Sequence, residues 1–586
     1  MTASTEEQAL PRFDRSLFDG REPATRMGTG PVGGKATGLI RIRDTLASAF
    51  PAASPGFEVS IPTMCVATTE YFDRFVEENR LEEVALSGEG DDAIARAFQG
   101  GDLPVDMVGD LRALSNGIHA PLAVRSSSLL EDALERPFAG VYATKMIPNN
   151  EPEPDARFRK LAEAVKLVWA STYFRSARAY RATVEAGPRD EKMAVLLQEV
   201  VGRRHGGGRC YPDISGVARS YGFYRFGSAR PEDGVVLLAL GLGKTIVDGG
   251  ACWTYSPAHP AASAPYTSTA DLLKSTQTGF WAVNMGKPPA YDPVRETEYL
   301  VRGSLADAEE DGTLCFTAST WNPASDRLVP GTGVNGPRVL NFAPLLVHRQ
   351  YPLNDVVKSL LSVCGKAAGG PVEIEFAATL EPRREPPLRL GLLQVRPMAV
   401  STECVDLTES VRPGWRVLLS SDHVMGNGVV EGIRDVVYLP PGRFDARQSR
   451  AIAGEIALRN RALREEGRPY VLIGFGRWGS ADPWLGVPVA WGDVAGAKVL
   501  VEASRPERGI EMSQGSHFFH NISSFGVSYF SLPPEGPGTP DWEWLESRPA
   551  AAETPFVRHV RLAAPLRVEV DGRTGRGIIW RRDGET

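Results

Sequence analysis

VRSSSLLEDALERPFAGVYAT, residues 124–144, and EIEFAATLEPRREPPLRLGLLQVRP, residues 373–397, are the stretches on which the fold and chemistry of this chain turn. The first runs an apolar strand (PLAV) into Arg125 and three serines, then reaches a Phe138-Ala139-Gly140 turn with Thr144 four residues on. The second puts acids on one strand and a Gln-x-Arg on the next. Alternate side chains of a strand share a face. Gln394 and Arg396 therefore point one way, and Glu373 and Glu375 do likewise on the neighbouring strand. A carboxylate (Glu375) and an amide oxygen (Gln394) are hard ligands of the kind magnesium takes beside phosphate oxygens. An arginine next to them can fork onto phosphate. The same residues would also make a cross-strand Glu–Arg pair on a solvated sheet face.

Other candidates follow from local chemistry. Arg125 with hydroxyls at a strand end is an anion site. Gly140 permits close backbone approach to a phosphate, with the Thr144 hydroxyl alongside; an ordinary hairpin turn fits the same letters. Lys35 follows two glycines in GGKAT, yet the GxxxxGK[ST] spacing is absent. MAVLLQEVVG reads as a buried strand. Where it leaves its sheet, its backbone near Gln198 and Glu199 could meet the edge of an adenine base. Gly241-Leu242-Gly243 is a glycine loop after a strand.

Composition sets outer bounds. A chain of 586 residues amounts to about four units of ~150 residues. Its net charge of −7 argues against general nucleic-acid binding. No run approaches the ~18 apolar residues of a membrane span. The opening MTASTEEQALPRFDR lacks the basic and apolar regions of a signal peptide. The six cysteines are scattered, with no CxxC. These features read as a cytoplasmic protein with reduced thiols and no membrane partner.

Along the chain, residues 1–28 are polar. GGKATG opens a helix, LIRIRDTLASAF. FEVSIPTMCVATTEYFDRFVEENRL reads as strand, loop and a helix capped near Thr68 or Thr69. RFRKLAEAVKLVWASTYFRSARAYRATV is one long amphipathic helix. Beyond residue 400 come STECVDLTESVRPGW, a linker, and then separate strand signals at 435–439, 470–475 and 497–503. A hairpin pattern centres on Asp571-Gly572. The expected class is α/β (α+β): 29–190 and 191–400 as two lobes, and 401–586 as a C-terminal α+β domain. In that domain GFGRWGSADPWLGVPVAW offers Arg477 and Asp482 for an acceptor. SQGSHFFHNISSFGVSYF offers His517 as a general base or phosphoryl carrier. Core packing of Trp478 and Trp484, and a structural histidine at 520, are the plain alternatives.

Taken in order, GGKATGL, VRSS…FAG(x3)T, the QEVV strand, GLG and EIEF…LQVRP resemble the nucleotide-binding region of the pyruvate phosphate dikinase and phosphoenolpyruvate synthase family. The resemblance covers roughly residues 28–400. It implies an ATP-grasp-like fold of two lobes with ATP between them. By motif it implies phosphate contacts from Lys35, Arg125, Gly140 and Thr144, with Gly243 among the nucleotide-binding residues. Gln198, Glu199 and Val201 would line the adenine, Glu375 and Gln394 would hold magnesium, and Arg396 would reach the transferring phosphates. Two departures stand out: EPRREPPLR lengthens the hairpin before Gln394, and Lys244 follows GLG where many relatives have an acid. The family's swivelling phosphohistidine motif and phosphoenolpyruvate barrel are not visible in this sequence. The C-terminal segments resemble a terminal module of some stand-alone dikinase-like proteins.

The expected function is an ATP- and Mg2+-dependent phosphotransferase of the dikinase type, acting on a small-molecule acceptor or an enzyme histidine, with a separate phosphocarrier protein as a possible partner. A ligase working through an acyl phosphate and a non-catalytic nucleotide-binding regulator are the alternatives.

Overall fold

The computed structural model describes residues 10–16, 18, 23–51, 56–131, 140–183, 187, 191–223, 229–262, 272–273, 275–400, 405, 407, 412–480, 486–504, 522, 525–532 and 538–584. The chain divides into two compact units. One comprises Met1–Ser220 with Val235–Pro397, the other Tyr221–Gly234 with Met398–Thr586. Both mix helices with sheets, and the C-terminal region is a distinct body.

The first unit is built on two main sheets. In chain order the strands of these two sheets are β1 (Ala24–Met27), β2 (Phe57–Ser60), β3 (Met64–Ala67), β4 (Leu122–Ser128), β5 (Thr144–Ile147), β6 (Met193–Glu199), β7 (Ile214–Arg219), β8 (Val235–Ala239), β9 (Trp253–Tyr255), β10 (Val372–Leu380) and β11 (Leu388–Pro397). Among the described residues, one sheet runs β1-β3-β6-β4-β5 and the other β9-β8-β7-β10-β11-β2. The helices that cover them are α1 (Gly34–Ala49), α2 (Thr69–Glu78), α3 (Pro154–Ser171), α4 (Arg175–Thr183), α5 (Lys244–Val247) and α6 (Leu353–Ala368).

Strand β6 shows why MAVLLQE has no polar break. Ala194 and Leu196 pack into a core with Leu39 of α1, Leu360 of α6 and Phe376 of β10. Val195 and Leu197 face a second core with Phe72 and Phe75 of α2 and Trp169 of α3. Both faces are buried, as the sequence predicts, although β6 pairs antiparallel with β3 and β4.

The helix expected over 157–184 is two helices. At Thr172, Tyr173 and Phe174 the backbone N–H groups bond three residues back, to Trp169, Ala170 and Ser171. β-Branched and aromatic residues are poor helix formers. Tyr173 instead stacks on Phe72, with ring centres 6.2 Å apart. Thr68 stands at the N-cap of α2, but its side chain makes no cap hydrogen bond.

In the second unit the strands continue as β12 (Trp415–Ser421), β13 (Val424–Met425), β14 (Asn427–Tyr438), β15 (Tyr470–Phe475), β16 (Ala497–Ala503), β17 (Ser528–Leu532), β18 (Arg558–Asp571) and β19 (Arg576–Arg582), with α7 at Ser449–Glu465. The sheet order is β12-β19-β18-β14-β15-β16-β17-β13. The hairpin predicted at Asp571 is β18–β19. Strands β14 to β17 are mutually parallel.

Asp435 on β14 ties β18 and the connection between α7 and β15 together. It is 1% exposed and accepts from Arg468 Nε at 2.8 Å and Arg561 Nε at 2.9 Å, with His559 Nε2 at 2.8 Å. Burial pushes its carboxyl up, but those bonds outweigh burial and hold it at about 2. A depressed carboxylate stabilises the fold above its unfolded pKa of ~3.9 and loses that contribution as pH falls toward the folded value. Asp435→Asn is expected to cost about 3 kcal/mol at pH 7, the lower end for breaking a buried pair. Urea unfolding should show this difference narrowing as pH drops below ~4.

Candidate nucleotide site

Arg125 lies near the middle of β4, where the apolar run of that strand gives way to serines. Its guanidinium bridges the two main sheets of the first unit. Nη1 donates to Gln198 Oε1 on β6 at 3.1 Å and to the Leu393 carbonyl at 2.8 Å. Nη2 donates to Gln394 Oε1 at 2.9 Å and to Glu375 Oε2 at 3.2 Å.

The strand register makes this possible. Glu373 pairs with Arg396 and Glu375 with Gln394 across β10 and β11. The register then slips by one between Glu375 and Phe376, so Leu393 is an extra residue on β11. A bulged residue leaves the ladder unpaired, and the Leu393 carbonyl is turned to Arg125. The slip falls on the turn side of Gln394. The lengthened hairpin therefore leaves the facing of Glu375, Gln394 and Arg396 as alternation predicts.

Lys35 sits in the first turn of α1. Its Nζ bonds Glu131 Oε1 at 2.6 Å and Ser126 Oγ at 2.8 Å. Glu131 was not a sequence candidate, although Ser128-x-x-Glu131 carries the capping-box spacing. The box is formed: Ser128 N–H donates to Glu131 Oε2 at 2.9 Å, and Glu131 N–H to Ser128 Oγ at 3.1 Å. Gly33 is required here. It has φ +77°, and a Cβ would come within 1.8 Å of the Ser127 carbonyl oxygen.

Arg396 is 1% exposed and bonds Glu373 through Nε at 2.7 Å and through Nη2. The other Glu373 oxygen takes Arg219 Nε at 2.5 Å. The pair is thus a buried triad rather than a solvated cross-strand contact. Glu373 and Arg219 are further site residues that motif reading passed over. Register was the available signal, because an acid opposite an arginine on a buried strand demands a partner.

Glu199 is half-buried, and burial raises its carboxyl above the usual range, against a hydrogen bond with Thr63. Gln198 Nε2 is buried and has no hydrogen-bond partner among the described residues. Val201 is half-buried against Gly391, where a Cβ would lie 2.5 Å from its methyl. Thr144 opens β5 opposite Arg125. Gly140 is exposed with φ +67°. Gly243 caps α5, and Lys244 pairs with Asp248 at 3.2 Å. In the second unit Arg477 is half-buried, two residues past the end of β15. Phe138, Ala139, Asp482, Trp484, His517 and His520 lie outside the described residues.

The family profile described as pyruvate phosphate dikinase, AMP/ATP-binding domain, matches residues 29–410. This chain belongs to that family. The phosphoenolpyruvate synthase of Aeropyrum pernix is 31% identical over 198 residues, which cover 30% of this chain and 22% of that relative. The match thus spans about a fifth of the length of the relative. AMP/ATP binding is what the family's description carries to residues 29–410. No helix among the described residues is long and apolar enough to cross a membrane.

One acid near the Lys35 cluster gives a pH test. Glu191 is 1% exposed, and burial pushes its carboxyl up to about 7. A raised carboxyl binds its proton more tightly folded than unfolded, so stability falls as pH rises from ~4.3 to the folded value. Glu191→Gln should remove that slope. Thermal unfolding is expected to show the variant gaining on the native chain through this window, by up to ~3 kcal/mol above pH 7.

Proposed function

We propose that residues 29–400 form an ATP-grasp-like site of two lobes, 29–190 and 191–400. The chain is then an ATP- and Mg2+-dependent phosphotransferase of the dikinase type, with residues 401–586 serving a small-molecule acceptor or a relay histidine such as His517. The observation that carries this reading is the convergence on Arg125 of Gln198, Glu375 and Gln394 from three other strands. Lys35 joins the same strand, donating to Ser126 next to Arg125. Half-buried cations and hard oxygen donors gathered along β4 suit a metal-bound triphosphate.

The donor set fits magnesium. Glu375 and Gln394 pair directly across β10 and β11, and each puts an oxygen within 3.2 Å of one Arg125 nitrogen. Among the described residues no group of three His, Cys, Asp or Glu side chains could hold a metal ion by itself. Magnesium bound through phosphates needs only one or two protein ligands. Glu375 and Gln394 would hold the ion, which neutralises phosphate charge when bound.

The chain's own residues do the rest. Arg125 exchanges Glu375 and Gln394 for phosphate oxygens, and Lys35 exchanges Glu131. Gly140, Thr144 and the Gly243 loop close on the same phosphates. Gln198 Nε2, a buried donor without a partner among the described residues, and the backbone from Glu199 at the end of β6 to Val201 meet the adenine. An unmet buried donor costs ~1–3 kcal/mol, which a ligand acceptor would recover. Arg396 reaches the phosphates only by giving up Glu373, so its contribution belongs to transfer rather than to affinity. A separate phosphocarrier protein is a second candidate partner.

Phosphorus NMR of ATP with the purified chain and candidate acceptors tests this. Consumption of ATP to AMP and phosphate indicates dikinase chemistry, and ADP a simple kinase. Arg396→Ala is expected to stay folded, to bind Mg-ATP within a few-fold of native affinity and to lose turnover by ~100-fold or more, the scale for one transition-state donor. Unchanged turnover in that variant would show the phosphates lie elsewhere.

A further inference from the structure

Strands β14, β15, β16 and β17 end side by side at Tyr438, Phe475, Ala503 and Leu532, all pointing the same way. Open sheets of parallel strands bind ligands outside those carboxyl ends. The connections that carry the glycine- and histidine-rich segments, 476–496 and 504–527, leave the ends of the two central strands, β15 and β16.

One row of the sheet stands out. Gly474 on β15, Glu502 on β16 and Ser531 on β17 are in register, each one residue short of its strand end. Alternation turns them away from the apolar core made by Ile473, Val501 and Phe530. Glu502 is 2% exposed and accepts a hydrogen bond from the Tyr529 hydroxyl. Ser531 is 6% exposed, and its Oγ is buried without a hydrogen-bond partner among the described residues. Its main chain is fully used by His423 and Ser421, so the hydroxyl is not needed by the sheet. Trp478 lies over Gly474, where a Cβ would fall 2.4 Å from the indole ring, and its Nε1 donates to the Val501 carbonyl at 3.1 Å.

A carboxylate and an unmet hydroxyl at the end of a packed sheet are costly where apolar side chains would serve the fold better. We propose that Glu502 and Ser531 floor a small-molecule site in the C-terminal unit, and that its ligand is a neutral or cationic hydroxylated compound. Neighbouring strands are ~4.8 Å apart, so one ligand hydroxyl can donate to Glu502 and accept from Ser531. Glu502 as a carboxylate only accepts hydrogen bonds, so an anionic ligand group, also an acceptor, has no bond to make with it, which sets this site apart from the phosphate-binding region. The site rests on the C-terminal unit alone; its role as the acceptor site rests on the phosphotransferase reading.

Saturation-transfer NMR on the whole chain with glycerol, glucose, serine and glycerate as probes decides the matter. At least one of the first three is expected to receive saturation, with glycerate giving none. The transfer should fall at least ~5-fold in Ser531→Ala and in Glu502→Gln, each removing one hydrogen-bonding partner. Ser531→Ala removes a single unbonded oxygen and keeps the fold testable if Glu502→Gln does not. Transfer to none of the four probes, to glycerate alone, or unchanged in Ser531→Ala would overturn the proposal. Mg-ATP affinity measured on the same samples separates the two readings. Its absence in the native chain with hydroxyl binding intact strikes only the acceptor role.

Discussion

A single guanidinium holds the nucleotide region in its observed arrangement. Arg125 grows from β4 and is met by β6, β10 and the bulge of β11. The two sheets share an apolar core, where Ala194 and Leu196 of β6 meet Phe376 of β10, and Arg125 adds a polar junction between them. A charge so enclosed is stable only while its partners surround it. That makes it a poor choice for simple cohesion and a good one for exchange. On the proposed reading, a triphosphate with its metal would offer the arginine a stronger partner and free the carboxylate and amide for the ion.

The same logic extends outward. Lys35 is paired with Glu131, and Arg396 with Glu373. Each cation has a buried acid that balances it when no phosphate is present. Glu131 is in turn fixed by the capping box on Ser128, and Glu373 by Arg219. Gly33 lets the α1 turn press against Ser127, which brings Lys35 to the end of β4.

Much of this was legible in the letters. The unbroken apolar run of β6 announced burial on both faces, and alternation put Gln394 with Arg396 and Glu373 with Glu375. The acids that balance the cations were less visible. Glu131 hid in a spacing that reads as an ordinary cap. Glu373 appeared only as a face-mate of Glu375, because cross-strand register depends on where a bulge falls. Hairpin length alone does not give that position. The break between α3 and α4 was missed because apolar periodicity continues through Tyr173, whose ring follows tertiary packing. In the second unit the row of Gly474, Glu502 and Ser531 comes from three distant segments, so only the parallel pairing brings it together.

The exchange at Arg125 is tested most directly by isothermal titration calorimetry of ATP, with and without magnesium, on the native chain and on Gln394→Ala. Mg-ATP is expected to bind the native chain, metal-free ATP to bind at least ~10-fold more weakly, and Gln394→Ala to erase most of that difference by removing a metal ligand. No heat with saturating Mg-ATP, or an identical magnesium dependence in Gln394→Ala, would contradict it.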